Sequence, residues 1–134
     1  MSRKEEYKQK NEAFMEQLRL DAEIKQIPGG VCYKVLKSAE KASSKPQLQS
    51  VVSVHYTGRL INGREFDNSR KRGYPEAFRL NQVIEGWQMA LQQMQVGDRW
   101  EIYIPYELGY GTRTSGPIPG FSTLIFDVEL LSIA

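Results

Sequence analysis

Few side chains in this sequence have the nucleophilic or metal-binding character on which most enzyme chemistry depends. The 134 residues include one cysteine, Cys32, and one histidine, His55. These counts exclude an intrachain disulfide, a thiolate metal site and a multi-histidine metal cluster. The apolar run 31–36 predicts that Cys32 is a small buried hydrophobe, and His55 should face away from the Tyr56 side of its strand in a structural role. We therefore predict no bound metal and no cofactor.

The stronger candidates are aromatic side chains, whose chemistry would be binding in an apolar pocket. Taken one at a time, Phe66, Trp87 and Phe126 are typical of a hydrophobic core. Asp67, which is followed by an Asn-Ser pair, is by itself typical of a turn. Only the joint order of these residues along the chain supports a functional interpretation.

The hydrophobic pattern predicts which elements must position these residues. β-Branched and aromatic segments predict strands, and Asn62-Gly63 predicts a two-residue hairpin that returns through residues 64–66. Helical apolar spacing predicts one short helix, which Gly97 ends. The strands are predicted at residues 31–36, 51–61, 77–80, 99–104 and 122–133, the helix at 86–94, and surface loops at 38–50 and 105–120. This is an α+β arrangement, and the length of loop 105–120 indicates a functional role.

The N-terminal segment predicts a further helix. Residues 3–25 contain no Gly or Pro and are rich in good helix formers, and residues 28–30, Pro-Gly-Gly, should stop the helix. Its apolar stripe is too narrow for a buried helix and should pack either on the main domain or on a second copy; it consists of Tyr7, Phe14, Leu18 and Ala22. We therefore divide the chain into an N-terminal helical extension, residues 1–30, and a main domain, residues 31–134.

Composition narrows the classes of partner. The formal net charge is +2, with 40% hydrophobic and 25% charged residues. This balance is typical of a globular protein with a core and argues against nucleic-acid binding. No apolar stretch approaches the roughly 18 residues needed to span a bilayer, so membrane insertion is not expected. The first residues do not resemble a signal peptide, which predicts a cytoplasmic location, or a periplasmic one if a leader is missing.

Five segments, taken in order, resemble the FKBP-type peptidyl-prolyl isomerases, specifically their bacterial Mip-like branch. Each is weak alone, but their joint order and spacing is specific, and the likeness covers about the last two thirds of the chain. The segments are Val54-His55-Tyr56-Thr57-Gly58, Phe66-Asp67-Asn68-Ser69, Val83-Ile84-Glu85-Gly86-Trp87, Val96-Gly97-Asp98-Arg99-Trp100-Glu101, and Tyr110-Gly111 with Ile118-Pro119. The closing run 122–131 is similar to the family's last strand.

The resemblance implies a half-open antiparallel β-barrel wrapped around one short helix, with an apolar cavity between them. Trp87 would form the cavity floor, and the Ile84 backbone N–H and the Tyr110 hydroxyl would donate hydrogen bonds to substrate carbonyl groups. The implied catalytic residues are Tyr56, Phe66, Asp67, Ile84, Trp87, Tyr110 and Phe126, and the implied substrate-binding residues are Arg72, Val83 and Ile118.

One position departs from the family pattern. Several family members carry another aromatic soon after the arginine, where this chain reads Arg72-Gly73-Tyr74-Pro75-Glu76. The acid Glu76 is therefore expected at the cavity rim, where it should alter affinity for macrolide inhibitors and for charged peptides.

The function implied by the resemblance is cis–trans isomerisation of X-Pro bonds in unfolded or flexible polypeptides, in the service of protein folding. The alternative is a non-catalytic FKBP-like module that binds proline peptides or acts as a chaperone. A third hypothesis is an assembly protein that works through its N-terminal helix. Because the Mip-like branch dimerises through N-terminal helices, residues 3–25 are also expected to support a homodimer.

Overall fold

The computed structural model describes residues 1–134 as three α-helices and seven β-strands. The helices are α1 (Arg3–Leu20), α2 (Ser69–Arg72) and α3 (Glu85–Leu91). The strands are β1 (Lys25–Ile27), β2 (Val31–Lys37), β3 (Val51–Arg59), β4 (Glu65–Asn68), β5 (Glu76–Arg79), β6 (Arg99–Ile104) and β7 (Leu124–Ile133). The predicted strands are all present, and the four-residue helix α2 is an addition that the sequence pattern did not indicate.

All strand pairs are antiparallel and form one sheet in the order β1-β2-β6-β7-β3-β4, with β5 also paired to β3. Helix α3 packs closely on this sheet because Gly86 has no side chain: a Cβ there would lie 2.5 Å from Ile104. Trp87, Ala90 and Leu91 of α3 enter the main core. The predicted α+β class, an antiparallel sheet around one short helix, is confirmed.

The hairpin between β3 and β4 differs from the predicted two-residue turn. The Gly63 N–H donates to the Leu60 carbonyl, and the Leu60 N–H donates to the Arg64 carbonyl at 3.0 Å. Only Gly63 has a positive φ, of 89°, whereas a two-residue Asn-Gly turn would also need a positive φ at Asn62. The connection is therefore a three-residue loop that ends in a glycine.

The N-terminal helix is shorter than predicted, because it ends at Leu20 instead of reaching residue 25. Asp21 caps the helix in an extended conformation, and its carboxylate accepts a hydrogen bond from the Glu23 N–H at 2.9 Å. Such local side-chain bonds compete with helix continuation. Residues 25–27 then pair with β2 as a β-hairpin, a tertiary contact that overrides local helix propensity.

Helix α1 packs on the main domain through Phe14 and Leu18 of the predicted stripe, which are half-buried, and through two more deeply buried residues that the stripe did not include. Asn11 and Met15 are buried, whereas Ala22, a member of the predicted stripe, is exposed. Met15 clusters with Cys32, Tyr103 and Ile125. The burial of Cys32 confirms that prediction.

Helix α3 shows a smaller difference from its prediction, and β6 contributes two buried aromatic residues. Helix α3 ends at Leu91, before the predicted residue 94, and Gly97 lies beyond it with a φ of 101°. Trp100 and Tyr103 are both buried, because Trp100 stacks on Tyr33 and Tyr103 lies in the cluster with Met15.

Candidate active site

An apolar cavity of about 520 Å³ opens between helix α3, strands β3 to β5 and the long connection between β6 and β7. Nine of its fourteen lining residues are hydrophobic. This size lies in the range of small-molecule and cofactor sites. The lining residues are Tyr56, Phe66, Asp67, Phe78, Gln82, Val83, Ile84, Trp87, Tyr110, Ser115, Gly116, Pro117, Ile118 and Phe126.

The indole of Trp87 is enclosed by three other aromatic rings. Tyr56, Phe78 and Phe126 each meet it edge to face, with ring centroids 5.2, 5.5 and 5.3 Å from it. Edge-to-face pairs at these distances are favourable beyond their burial. The indole is 3% exposed, and its Nε1–H has no hydrogen-bond partner. The rings therefore hold Trp87 in one orientation without using its polar edge.

Strand β3 contributes Tyr56 and, two residues later, a glycine that makes room for the far wall. A Cβ at Gly58 would lie 2.7 Å from the Phe66 ring and 2.8 Å from the Phe126 ring. Without that Cβ, Phe66 and Phe126 meet edge to face at 5.6 Å across the strand. Gly58 is therefore part of the cavity architecture although it does not line the cavity.

A chain of polar groups runs from the cavity to its rim. The Tyr56 hydroxyl donates to the Asp67 carboxylate, and the Arg72 guanidinium donates to the same carboxylate. Arg72 also lies 3.4 Å from the Tyr56 hydroxyl oxygen and 3.2 Å from Glu76 Oε1. Glu76, the acid that departs from the family pattern, is thus ion-paired to Arg72 at the rim.

The pKa values of this chain of groups follow from burial and from these bonds. Burial, followed by the hydrogen bond to Asp67, raises the pKa of Tyr56 to about 12. Burial pushes the pKa of Asp67 upward, but bonds from Tyr56 and Arg72 together with the Arg72 charge outweigh it and leave that pKa below its ordinary value. The hydrogen bond to Asp67 raises the pKa of Arg72. At neutral pH the site therefore holds a neutral phenol, a carboxylate and a guanidinium.

Two donors at the cavity have no partner within the chain. The Ile84 backbone N–H makes no hydrogen bond in the loop that precedes α3, and the Tyr110 hydroxyl makes none either. Burial, followed by the Asp67 charge, raises the pKa of Tyr110, so its hydroxyl stays protonated at neutral pH. Both donors are available to a ligand carbonyl.

His55 lies behind this site and does not line the cavity. Its Nδ1 is 2.8 Å from the Ser69 hydroxyl oxygen, and that hydroxyl also accepts from the Tyr56 backbone N–H at 2.8 Å. His55 thus helps to anchor the segment that carries Arg72, in the structural position that was predicted for it.

The geometry matches one known family. The sequence model of the FKBP-type peptidyl-prolyl cis-trans isomerases matches residues 42–131, which is more than half of the chain. The chain belongs to the FKBP-type peptidyl-prolyl isomerase family.

Individual relatives agree with this assignment. The chain is 47% identical over 122 residues to the macrophage infectivity potentiator of Trypanosoma cruzi, covering 90% of this chain and 61% of that protein. It is 42% identical to the outer membrane protein MIP of Legionella longbeachae, covering 96% of this chain and 55% of that protein. This FKBP-type chain thus spans little more than half of the length of these two relatives.

A solved structure matches over the full length. The crystal structure of a peptidyl-prolyl cis-trans isomerase from Pseudomonas syringae pv. tomato superposes with a TM-score of 0.89 at 32% identity. The match covers 100% of this chain and 98% of that one.

The structure brings together the site residues predicted from the sequence. Nine line the cavity, namely Tyr56, Phe66, Asp67, Val83, Ile84, Trp87, Tyr110, Ile118 and Phe126. Arg72 lies outside the lining and reaches the site through Asp67 and Tyr56. Their individual catalytic roles stay predictions.

Sequence reasoning missed Phe78 and four smaller lining residues, Gln82, Ser115, Gly116 and Pro117. Phe78 could have been found, because it lies in a predicted strand, two positions after Glu76 and therefore on the same face. Gln82 lies in a short 3-10 turn, and the three others lie in the connection between β6 and β7, where no periodicity indicates direction.

No helix of this FKBP-type chain combines the length and apolar character of a membrane span. The predicted cytoplasmic location finds no support among the relatives, one of which is named an outer membrane protein.

Proposed function

We propose that this chain accelerates cis–trans rotation about X-Pro bonds in flexible polypeptides. The observation that carries the proposal is the aromatic cavity around Trp87, together with the two unpartnered donors, the Ile84 N–H and the Tyr110 hydroxyl. A proline residue suits this apolar site because its ring has no polar atom and its backbone nitrogen carries no N–H that would be left unpaired.

The physical basis is the resonance of the peptide bond. Partial double-bond character gives a rotation barrier of about 18–20 kcal/mol. At the transition state the amide is twisted, resonance is lost, and the carbonyl is less charge-separated than in the planar form. Because water stabilises the more polar planar form, an apolar cavity lowers the relative free energy of the twisted one. Donors placed for the rotated carbonyl add binding that the planar substrate does not receive.

The required stabilisation is small. Raising an uncatalysed rate of about 0.01–0.1 s⁻¹ to about 100 s⁻¹ needs roughly 4–5.5 kcal/mol. Apolar walls and one or two hydrogen bonds are of the right magnitude to supply it. The polar groups from Tyr56 to Glu76 would hold the cavity open and orient the entering chain.

The test is an isomerisation assay on a short proline peptide, with binding measured on the same samples through the change in tryptophan fluorescence. The proposal expects a rate of cis-to-trans exchange that rises in proportion to the concentration of folded protein. Binding without acceleration would instead support the alternative, a non-catalytic proline-peptide or chaperone module.

Three finer predictions belong with this proposal. The substrates would be proline-containing segments of unfolded or flexible proteins, and the role would be to assist their folding. Macrolide inhibitors would enter the same cavity, where Glu76 is held in an ion pair with Arg72 at the rim. A macrolide titration of the wild type against Glu76→Ala measures how this ion pair changes affinity.

Self-association through residues 3–25 also stays a proposal, as does the division of the chain at residue 30. The buried face of α1 is occupied by the main domain, which leaves Leu20, 80% exposed, beside Phe14 and Leu18 for a second copy. Sedimentation of the Leu20→Lys variant tests this, since a mass unchanged from that of the wild type would argue against the apolar contact.

A further inference from the structure

The connection between β6 and β7 supplies one wall of the cavity and is fastened to helix α1. We call this connection, residues 105–123, the pocket loop. Five of its residues line the cavity, namely Tyr110, Ser115, Gly116, Pro117 and Ile118. Six backbone hydrogen bonds lie within it, among them Gly111 N–H to Tyr106 O and Phe121 N–H to Gly111 O, both at 2.9 Å. A loop of this length needs outside contacts to hold a single conformation.

The most deeply buried of those contacts come from Asn11, a polar residue of α1 that is buried against the main domain. Asn11 is 0% exposed, and its Oδ1 accepts from the Thr123 backbone N–H at 2.7 Å. Its backbone carbonyl also accepts from the Thr123 hydroxyl at 3.3 Å. The Asn11 amide nitrogen is in turn held by the Tyr7 carbonyl at 2.8 Å. A buried amide with all these bonds made fixes the C-terminal end of the pocket loop against α1.

Other α1 side chains hold the same loop at both ends. The Tyr7 hydroxyl lies 2.7 Å from the Ser122 hydroxyl oxygen, which itself donates to the Pro119 carbonyl at 2.6 Å. At the N-terminal end of the loop, the Tyr106 hydroxyl donates to Glu12 at 3.1 Å. We call the four residues Tyr7, Asn11, Ser122 and Thr123 the α1 seam.

The backbone next to the seam is in a conformation that needs such support. Phe121 has a φ of 69°, and it is the one non-glycine residue of the chain with a positive φ. A bulky side chain in this region is strained and persists only where neighbours impose it. Lys4 and Lys8 of α1 lie over the Phe121 ring at 5.7 and 5.4 Å, and Tyr106 meets it edge to face. The strained residue is therefore held from the α1 side.

We propose that Asn11 and Tyr7 are positioning residues for the prolyl site, which act by holding the pocket loop, and with it Tyr110 and Ile118, in place. The inference rests on the proposed function, since it assigns α1 a role in that same site. Small misplacements of a donor or wall reduce catalysis strongly, so loosening the loop should lower the rate even where the cavity residues are intact.

The test compares Asn11→Ala with a matched control, Asp98→Ala. Asp98 is also a buried polar residue that ties two segments together, accepting from the Ala39 N–H at 2.7 Å and the Gln95 N–H at 2.9 Å. None of its partners lines the cavity or lies in the pocket loop. Both variants should lose stability in urea, but only Asn11→Ala should increase hydrogen exchange in residues 109–121 and lower kcat/KM about three- to tenfold.

A double-mutant cycle separates positioning from general stability. If Asn11 acts through Tyr110, then Tyr110→Phe should reduce kcat/KM by a smaller factor in the Asn11→Ala chain than in the wild type. Should Asn11→Ala fail to fold, Tyr7→Phe removes only the hydroxyl contact to Ser122 and should show the same pattern at a smaller size. Additive effects, or equal loop exchange in Asn11→Ala and Asp98→Ala, would overturn the inference.

The exchange measurement also distinguishes the two proposals. A wild-type chain with no isomerase activity would refute the proposed function, while loop exchange would still report whether α1 holds the loop. An active wild type with an equally active Asn11→Ala variant would refute the positioning role alone.

Discussion

Polar groups on the two sides of the pocket loop differ in hydrogen bonding: those that face α1 are paired within the chain, and three donors on the cavity side are not. At the α1 seam, the buried polar atoms of Asn11 and Thr123 are bonded to each other or to α1. On the cavity side, the Ile84 N–H, the Tyr110 hydroxyl and the Trp87 indole N–H are all without partners. An unpaired buried donor disfavours folding by about 1–3 kcal/mol, and this applies to the Trp87 indole N–H. Tyr110 is 44% exposed, so water can pair its hydroxyl until a ligand takes it. The contrast predicts that seam variants alter stability and loop order, and the rate only through the loop, whereas cavity variants alter the rate directly.

The largest effect should come from the apolar contact that docks α1. Met15 is 2% exposed against Cys32, Tyr103 and Ile125, and Met15→Ala should lower the free energy of unfolding by about 3 kcal/mol through the resulting cavity. Because Met15 does not contact the pocket loop through hydrogen bonds, the molecules that stay folded should keep their kcat/KM. Urea unfolding measures the first quantity. The neighbouring Glu16, which is exposed, provides the control variant Glu16→Ala; equal stability losses in the two would show that α1 is not docked in solution.

The next largest effect should come from the cavity floor. Replacing Trp87 by Leu removes the ring that three other aromatics enclose, and kcat/KM should fall by about tenfold or more. Trp100→Leu is the matched control, since Trp100 is equally buried but stacks on Tyr33 away from the cavity. Measured at matched folded fractions, the control should lose stability and keep its rate. If Trp100→Leu lowered kcat/KM as much as Trp87→Leu, the Trp87 side chain would have no role in the rate beyond that of any core tryptophan.

The sequence was sufficient to predict strands β2 to β7 and helix α3, because their apolar periodicity indicates which face is buried. It was insufficient where burial is decided by partners distant in the chain. The helix predicted over residues 3–25 ends at Leu20, and residues 25–27 pair with β2 instead. Asn11 is buried, although a polar residue in a helix is normally exposed. The cavity residues were placed by family resemblance. Phe78 was missed although its strand was predicted, since the pattern shows which face Phe78 shares with Glu76 but not that β5 pairs with β3 beside the cavity.

A smaller effect concerns the paired polar groups at the rim. Folding lowers the pKa of Asp67, so the ionised carboxylate favours the folded state. This contribution to stability is present above the ordinary pKa of 3.8. It is lost as the pH falls through the lower pKa of the folded protein. Asp67→Asn should therefore reduce stability by about 1 kcal/mol at pH 7, a modest figure because the group is partly exposed, and by progressively less as the pH falls below 3.8. Urea unfolding across this pH range measures the difference. Glu23→Gln, at an exposed carboxyl outside the ion pairs, is the control. A difference between wild type and Asp67→Asn that stays constant with pH would contradict the pairing.

The smallest effect is the sharpest test of the contrast, because it compares single hydroxyl groups. The Tyr110 hydroxyl has no partner within the chain and faces the cavity, whereas the Tyr103 hydroxyl donates to Glu101 beneath α1. Tyr110→Phe removes one donor to the substrate and should lower kcat/KM about two- to tenfold while leaving the urea midpoint unchanged. Tyr103→Phe should do the reverse, lowering the midpoint and leaving kcat/KM unchanged. If Tyr110→Phe left the rate intact, the open hydroxyl would not be reserved for the substrate, and the absence of an internal partner would carry no functional meaning at this site.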